Sequence, residues 1–282
     1  MKARAVAETA ARAAGLGALS RLHAVAGGDI AAAYRVETTA ASAFLKIGAA
    51  DHPFEAEARA LEEIAASGAI RAPRPLAWGV AEGSGYLLLE WIDLAAEGDW
   101  AAAGRQLAAL HASVRPAYGW TRDNTIGASP QLNAPCGTWA EFWRERRLRP
   151  QFALARRRGL ARLAALEDRA CLASDARLAG HAPPASLLHG DLWRGNLAFD
   201  GAGRPVVFDP ATYYGDAETD LAMTRLFGGF APAFYRAYDE ARPPQPGAAA
   251  RLPLYQLYHV LNHANLFGGG YAAQAAAMIE RL

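Results

Sequence analysis

The sequence predicts an α+β chain in two lobes, a smaller one rich in strands and a larger one that is mainly helical. Two observations predict it. Between residues 32 and 92 the apolar residues fall in short strand-like runs around a single helical pattern. Beyond residue 92 helical periodicities dominate, interrupted by one strand–turn–strand segment near residue 200. At 282 residues the chain is long enough for two lobes and a large core. The boundary is set at residue 92, giving lobes 1–92 and 93–282.

Taken in order, Ala32–Thr38 and residues 43–47 read as a hairpin. Asp51-His52-Pro53 is a helix start signal, and Phe54, Glu57, Leu61 and Ile64 follow at three- and four-residue steps. A helix over 54–67 therefore carries Glu57 inside its apolar stripe, whereas Glu55 lies on the solvated side. Residues 85–91 form a further strand. In the second lobe 101–113 reads as a helix, and Thr138-Trp139-Ala140-Glu141 is a capping box opening an arginine-rich one. Asp216 caps another, whose first turn holds Glu218 and Asp220 at the positive end of the helix dipole. Leu197-Ala198-Phe199 and Val206-Val207-Phe208 are short strands joined by the turn residues Asp200-Gly201-Ala202-Gly203.

Composition narrows the functional class. A net charge of +1 gives no electrostatic case for nucleic acid or an anionic membrane surface. No run of eighteen apolar residues appears, and the N-terminus lacks the apolar core of a signal peptide, so the expected location is the cytoplasm. Cys136 and Cys171 are too few for a disulfide framework, and no Cys/His cluster has zinc spacing. His259 and His263 are four apart on a helical pattern, yet no third ligand accompanies them, so packing or pocket lining is expected rather than zinc.

Lysine usage is informative. Of 29 basic residues only Lys2 and Lys46 are lysines, and Lys46 sits in the apolar strand Ala43-Phe44-Leu45-Lys46-Ile47. A compact ammonium is a point charge suited to phosphate, and a guanidinium is not an equivalent substitute. The strand alone leaves open a lysine snorkelling from a sheet edge. Glu57 decides between the two, because a carboxylate within a buried stripe needs a partner and Lys46 is the nearest candidate. A strand lysine paired with a helix glutamate is the arrangement that kinases use to grip the α- and β-phosphates.

The stretch His189-Gly190-Asp191-Leu192-Trp193-Arg194-Gly195-Asn196 adds the chemistry. Asp191 and Asn196 have the D-x-x-x-x-N spacing of a phosphotransferase base and metal ligand, and Asp209 ends an apolar run where a second metal-binding Asp belongs. If Phe199 pairs with Val206, the register sets Asn196 opposite Asp209, and opposed residues lie about 4.5–5.5 Å apart. Two oxygen donors would then converge on one hard cation, as magnesium requires. Read singly, each of the three is an ordinary turn residue; the constellation is what carries meaning.

Several segments together resemble a known family. They are Gly27-Gly28-Asp29-Ile30, Phe44-Leu45-Lys46, Phe54-Glu55-Ala56-Glu57, Leu88-Leu89-Glu90, and Gly127 with Gln131 and Asn133. More specific are HGDLWRGN, VVFDPATYYGD, DLAMTRLFGGF and the tail NHANLFGGGY. On these the chain resembles, over nearly its whole length, the fructosamine kinase (ketosamine-3-kinase) family of the aminoglycoside phosphotransferase-like, protein-kinase-like superfamily. The resemblance implies a bilobal protein-kinase-like fold and phosphorylation of a ketosamine on its sugar 3-hydroxyl, with ATP and Mg2+ as cofactors. It implies Asp191 as base, Lys46 as phosphate anchor held by Glu57, and Asn196 and Asp209 as magnesium ligands. The backbone of Glu90, Trp91 and Ile92 would meet adenine, and Gly27-Gly28 would form the phosphate turn. Trp193 would be either a flat wall beside the sugar or a packed core residue, and His263 would line the substrate pocket. Departures are visible too. Gly27-Gly28 falls far short of GxGxxG, Asp29 places a carboxylate where it could repel phosphate, and the loop lacks the cysteine that some relatives carry. The rival readings are another small-molecule kinase, acting on an aminoglycoside or amino-alcohol, and a nucleotide-binding pseudoenzyme. A pseudoenzyme has no need of a base, which argues against it.

Overall fold

The computed structural model describes residues 1–25 and 31–282. By its internal contacts the chain forms two compact units, one of Met1–Gly98 with Ala198–Asp209, the other of Asp99–Leu197 with Pro210–Leu282. The division after Gly98 falls later than the sequence boundary at residue 92, and the segment that follows Leu197 joins the first unit rather than the second. Backbone bonds explain this. Ala95 and Phe199 exchange N–H···O bonds of 2.7 and 2.9 Å, and Val207 donates to the carbonyl of Arg71 at 2.9 Å.

In the first unit, helix α1 (Lys2–Ala13) precedes strands β1 (Leu19–Val25), β2 (Ala32–Thr38) and β3 (Ser42–Gly48). Helix α2 (Phe54–Ala66) and strands β4 (Pro75–Ala81) and β5 (Ser84–Glu90) complete it. All five strands pair antiparallel in the order β1-β2-β3-β5-β4, so β3 is central. Side chains alternate across a strand. Ala43 and Leu45 of β3 turn to one face, where they join Val36, Tyr86 and Leu88 in a core closed by Val6, Ala7 and Ala10 of α1. Lys46 belongs to the other face. Helix α1 and strands β1 and β4 gave little sequence signal. The first buries mostly alanines, and the two strands are sheet edges.

The second unit is largely helical. Helix Trp100–His111 is capped by Asp99, whose carboxylate accepts the N–H of Ala102 at 2.8 Å. Thr138 caps Trp139–Phe142 by accepting from Glu141 N–H at 3.2 Å, and Glu141 returns the bond to Gly137 N–H. The arginine-rich segment then winds as a π-turn, Trp143–Leu148, before resuming as Arg149–Arg157. Such turns often mark special packing, and here the π-turn holds the fully buried Arg147. Its guanidinium lies 3.9 Å from the Tyr213 ring centre and donates to the carbonyl of Leu132 and to Asn133 Oδ1. Helix Ala248–Phe267 runs through this unit and contacts Gly270–Arg281, Glu218–Thr224 and Arg149–Arg157. Among the described residues no helix is long and apolar enough to cross a membrane.

Helix Trp100–His111 packs closely on Pro232–Ala241 at Gly104, where an added Cβ would lie 2.2 Å from the carbonyl oxygen of Phe234. That neighbour is backbone and cannot rotate away. Gly104→Ala should therefore lower stability by about 1–3 kcal/mol, read as an earlier thermal or urea midpoint. An unaltered midpoint would mean the two helices part without cost.

Candidate active site

Lys46 lies in the middle strand of its sheet, paired with Ala33 on β2 and Leu87 on β5, so the reading as an edge lysine does not hold. Its Nζ donates to Glu57 Oε1 at 2.6 Å and to Asp209 Oδ1 at 2.6 Å. The first bond is the one expected from the apolar stripe of α2. The second spans 163 residues of sequence and brings in the last residue of the 198–209 segment. Burial works against the Lys46 charge, but Glu57 and Asp209 outweigh it and hold the amine protonated well above its ordinary range. Burial raises the Glu57 carboxyl, an effect that Lys46 opposes. Asp209 adopts φ +57°, a left-handed backbone that non-glycine residues seldom take and that collects at functional positions. Its side chain stays 44% exposed despite the bond to Lys46, so part of the carboxylate remains open to a ligand.

The hairpin ahead of Asp209 is built by Asp200. Oδ1 accepts the N–H groups of Ala202 and Arg204, both at 3.0 Å, while Oδ2 accepts from the side chains of Arg204 and Arg71. Arg204 foremost, with those backbone donors and Arg71, holds the Asp200 carboxyl well below the usual carboxylate range. Arg71 also binds Glu90 Oε1 at 2.7 Å, and Glu90 Oε2 accepts the N–H of Arg74. The Glu90 side chain is thus committed to structure, and its N–H donates to the Arg74 carbonyl. Trp91 and Ile92 lie past the end of β5 and border a cavity of about 350 Å³ that Arg71 and Arg204 also line. Gly27 and Gly28, the expected phosphate turn, lie outside the described residues, as does Asp29.

In the second unit the HGD segment is fixed from several sides. Gly190 has φ +84°, and an added Cβ would lie 2.0 Å from the carbonyl oxygen of Ala211, so only glycine fits. The N–H of Asp191 donates to His189 Nδ1 at 3.2 Å. Asn196 is buried and spends its amide nitrogen on Asp191, 2.8 Å from the carbonyl oxygen and 3.3 Å from Oδ2. That leaves its own side-chain oxygen as an acceptor. Trp193 folds back over Gly195 and remains 39% exposed, so it is not a core tryptophan.

Asp220 lies in the first turn of its helix, as expected, but its partners are ones that the sequence pattern does not reveal. Asp216 does serve the first turn, with Oδ1 accepting the N–H of Glu218 at 3.0 Å. Asp220 instead turns inward, only 1% exposed, and accepts the N–H of His189 and of Gly190, each at 2.8 Å. His111 Nε2 meets the same carboxylate at 3.1 Å, and His111 Nδ1 meets the Tyr238 hydroxyl at 2.7 Å. Burial would raise the Asp220 carboxyl, but the bond from His111 and the backbone donors prevail and hold it below its ordinary value. The available signal was its flanking by the buried Thr219, Ala222 and Met223.

His263 donates from Nδ1 to the carbonyl of His259 at 2.8 Å, taking the tautomer in which Nε2 carries the lone pair. Burial lowers its pKa. His259 is more deeply buried and is pushed down to about 3, first by that burial and then by His263. Neither arrangement makes a metal pair. Among the described residues one cluster, His181, Asp216 and Glu218, has metal-ligand proximity. Its acceptors are already engaged. Arg251 binds both oxygens of Glu218, and Asp216 Oδ2 receives the Tyr255 hydroxyl and His181 Nε2.

The sequence pattern described as fructosamine kinase matches residues 2–282. The chain belongs to the fructosamine kinase family. Among curated relatives, a probable ketoamine kinase of Synechocystis sp. is 46% identical, the match covering 91% of this chain and 88% of the relative. The chloroplastic protein-ribulosamine 3-kinase of Arabidopsis thaliana is 38% identical over 93% of this chain and 82% of its own. A crystal structure of a fructosamine-3-kinase candidate from Haemophilus somnus aligns with a TM-score of 0.91 at 26% identity, covering 99% of this chain and 97% of that one. The fold of this family member is protein-kinase-like α+β, as the resemblance implied, and the enzyme is a phosphotransferase.

Asp220 is expected to matter to this kinase through the segment it holds. Asp220→Asn replaces an acceptor by a donor facing backbone N–H groups, and should cost about 2–3 kcal/mol of stability. The native carboxylate, depressed in the fold, stabilises above the ordinary carboxylate range and loses that contribution as pH falls through its folded value. Urea unfolding followed between neutral and acid pH should accordingly show a shallower acid limb in the variant. Identical limbs would show that Asp220 is not the group responsible.

Proposed function

We propose that the chain transfers the γ-phosphoryl group of ATP to the sugar 3-hydroxyl of a ketosamine, of ribulosamine or fructosamine type, and that the phosphorylated adduct then breaks down to free the amine. The relatives named as ketoamine and ribulosamine kinases support the acceptor class. The single observation that carries the ATP machinery is the lysine ammonium bonded at 2.6 Å to both Glu57 and Asp209. A central-strand cation held by two carboxylates is oriented in advance, so it meets a triphosphate without reorganisation. A cytoplasmic setting, with its supply of ATP, belongs to the same proposal.

Asp209 and Asn196 fit a magnesium ion by the chemistry of their donors. The Asp209 carboxylate is partly open, and the Asn196 amide has turned its nitrogen to Asp191, leaving oxygen to offer. Both are hard oxygen ligands of the kind Mg2+ takes when phosphates and water complete its shell. Bound there, Mg2+ would neutralise charge between the β- and γ-phosphate oxygens. Lys46 would anchor the α- and β-phosphates. Asp191 would accept the hydroxyl proton as the new P–O bond forms and the bond to ADP breaks. Asn196, bonded to Asp191, keeps that carboxylate aimed. The rate gain then comes mostly from positioning and electrostatics.

Asp191→Asn should lower turnover by about 10²–10⁴-fold while ATP binding, measured by calorimetry, persists. Turnover near the wild-type rate would remove Asp191 as base. Lys46→Met should chiefly raise KM for ATP, and unchanged kinetics would remove it as phosphate anchor. An acceptor panel of ribulosamines, fructosamines and aminoglycosides decides the substrate class. ATP consumption with aminoglycosides but with neither sugar adduct would overturn the ketosamine reading.

A further inference from the structure

A chain of rings leads away from the segment that carries Asp191. Trp193, two residues after it, meets Phe227 edge-on with centroids 6.4 Å apart. Phe227 meets His263 at 4.7 Å, and His263 meets Tyr271 at 5.2 Å and Phe267 at 5.5 Å. These rings come from separate pieces of chain. They are the catalytic turn, the segment after helix Glu218–Thr224, the end of Ala248–Phe267 and the start of Gly270–Arg281. None of the five is closed off as core. Trp193 is 39% exposed, Phe267 56%, and the other three are partly exposed. Large apolar side chains left open side by side on a soluble face mark a binding surface more often than scattered single residues do.

The chemistry of the acceptor says what would lie there. In a ketosamine only three carbons separate the reacting 3-oxygen from the nitrogen, which is a secondary amine and carries a proton at neutral pH. If the 3-hydroxyl is at Asp191, the nitrogen and its substituent must continue over whatever adjoins that residue. Aromatic faces attract such a cation. The neutral tautomer of His263, with Nδ1 given to the His259 carbonyl, adds no repelling charge and offers a lone pair for an N–H donor. Burial depresses the His263 pKa in the direction that keeps it neutral.

We propose that the strip of Trp193, Phe227, His263, Tyr271 and Phe267 receives the amine half of the acceptor, and thereby selects ketosamines of apolar amines over those of amino acids bearing a free α-carboxylate. The assignment rests on the ketosamine reading above. An alkyl or benzyl substituent gains contact area along the rings. A carboxylate there would lose water and face the negative faces of the rings, with no formal cation among the five to compensate.

The test compares kcat/KM of the full-length protein, with ATP, for the ribulosamine of benzylamine and the ribulosamine of glycine. The wild type should prefer the benzyl adduct by about tenfold or more, and Phe267→Ala and Tyr271→Ala should each bring the ratio to within about threefold, mainly through KM. Phe267→Tyr keeps a ring and should keep the preference. Matching thermal midpoints would confirm that the alanine variants fold. A wild-type ratio near one, or a preference undiminished in both folded alanine variants, would overturn the strip's role while leaving the kinase reading intact. If the wild type phosphorylates neither adduct, the ketosamine reading falls and this assignment falls with it.

Discussion

The first unit is organised around one ammonium group shared by two carboxylates. Placing Lys46 at the centre of a five-stranded sheet removes it from most of the solvent, and a lone charge there would be costly. Glu57 and Asp209 relieve that cost, each at 2.6 Å, but only if two other elements are correctly set. Helix α2 must present one particular face, and the hairpin from Ala198 must end at one particular carboxylate. Removing one member of such a set leaves the others unbalanced, so the arrangement acts more as a specification of geometry than as a source of net stability. The left-handed backbone at Asp209 belongs to the same account, since a residue held from one side by Lys46 can be kept in a conformation it would otherwise leave.

In the second unit a buried carboxylate, rather than an ammonium, sets the segment that carries Asp191. The His189–Asp191 segment needs its backbone donors satisfied in a buried place, and Asp220 supplies acceptors for two of them. Gly190 permits the close approach to Ala211, and His111 and Tyr238 complete the polar network behind the carboxylate. A base on a loop is only as well aimed as the loop itself. If Asp191 is the base proposed above, its aim comes from Asp220, His111 and Tyr238, on helices separated widely in sequence.

Much of this was readable beforehand where residue type and spacing conflict with a plain structural role. A lysine in an apolar strand and a glutamate in an apolar helix stripe each look wrong alone, and together they announced the pair that the fold contains. The hairpin at 197–207 was visible from its turn residues, as was the Thr138 cap. What escaped was of two kinds. Edge elements such as β1 and β4 bury too little to leave a pattern, and α1 buries alanines that carry a weak signal. Asp220 escaped for the opposite reason. A carboxylate in a first helical turn has an ordinary explanation, and nothing local says that it reaches the backbone of residues thirty positions away. The aromatic strip lay in segments recognisable as family motifs, yet their sequence did not say that the rings meet.

The clamping of Lys46 has a chemical corollary. A primary amine condenses with a sugar carbonyl through its lone pair, and an ammonium held between two carboxylates has none to give. With Lys2 the sole other lysine of the chain, the protein carries few side-chain amines open to adduct formation. An enzyme whose proposed task is to undo sugar attachment thus offers few lysine side chains of its own to the same reaction.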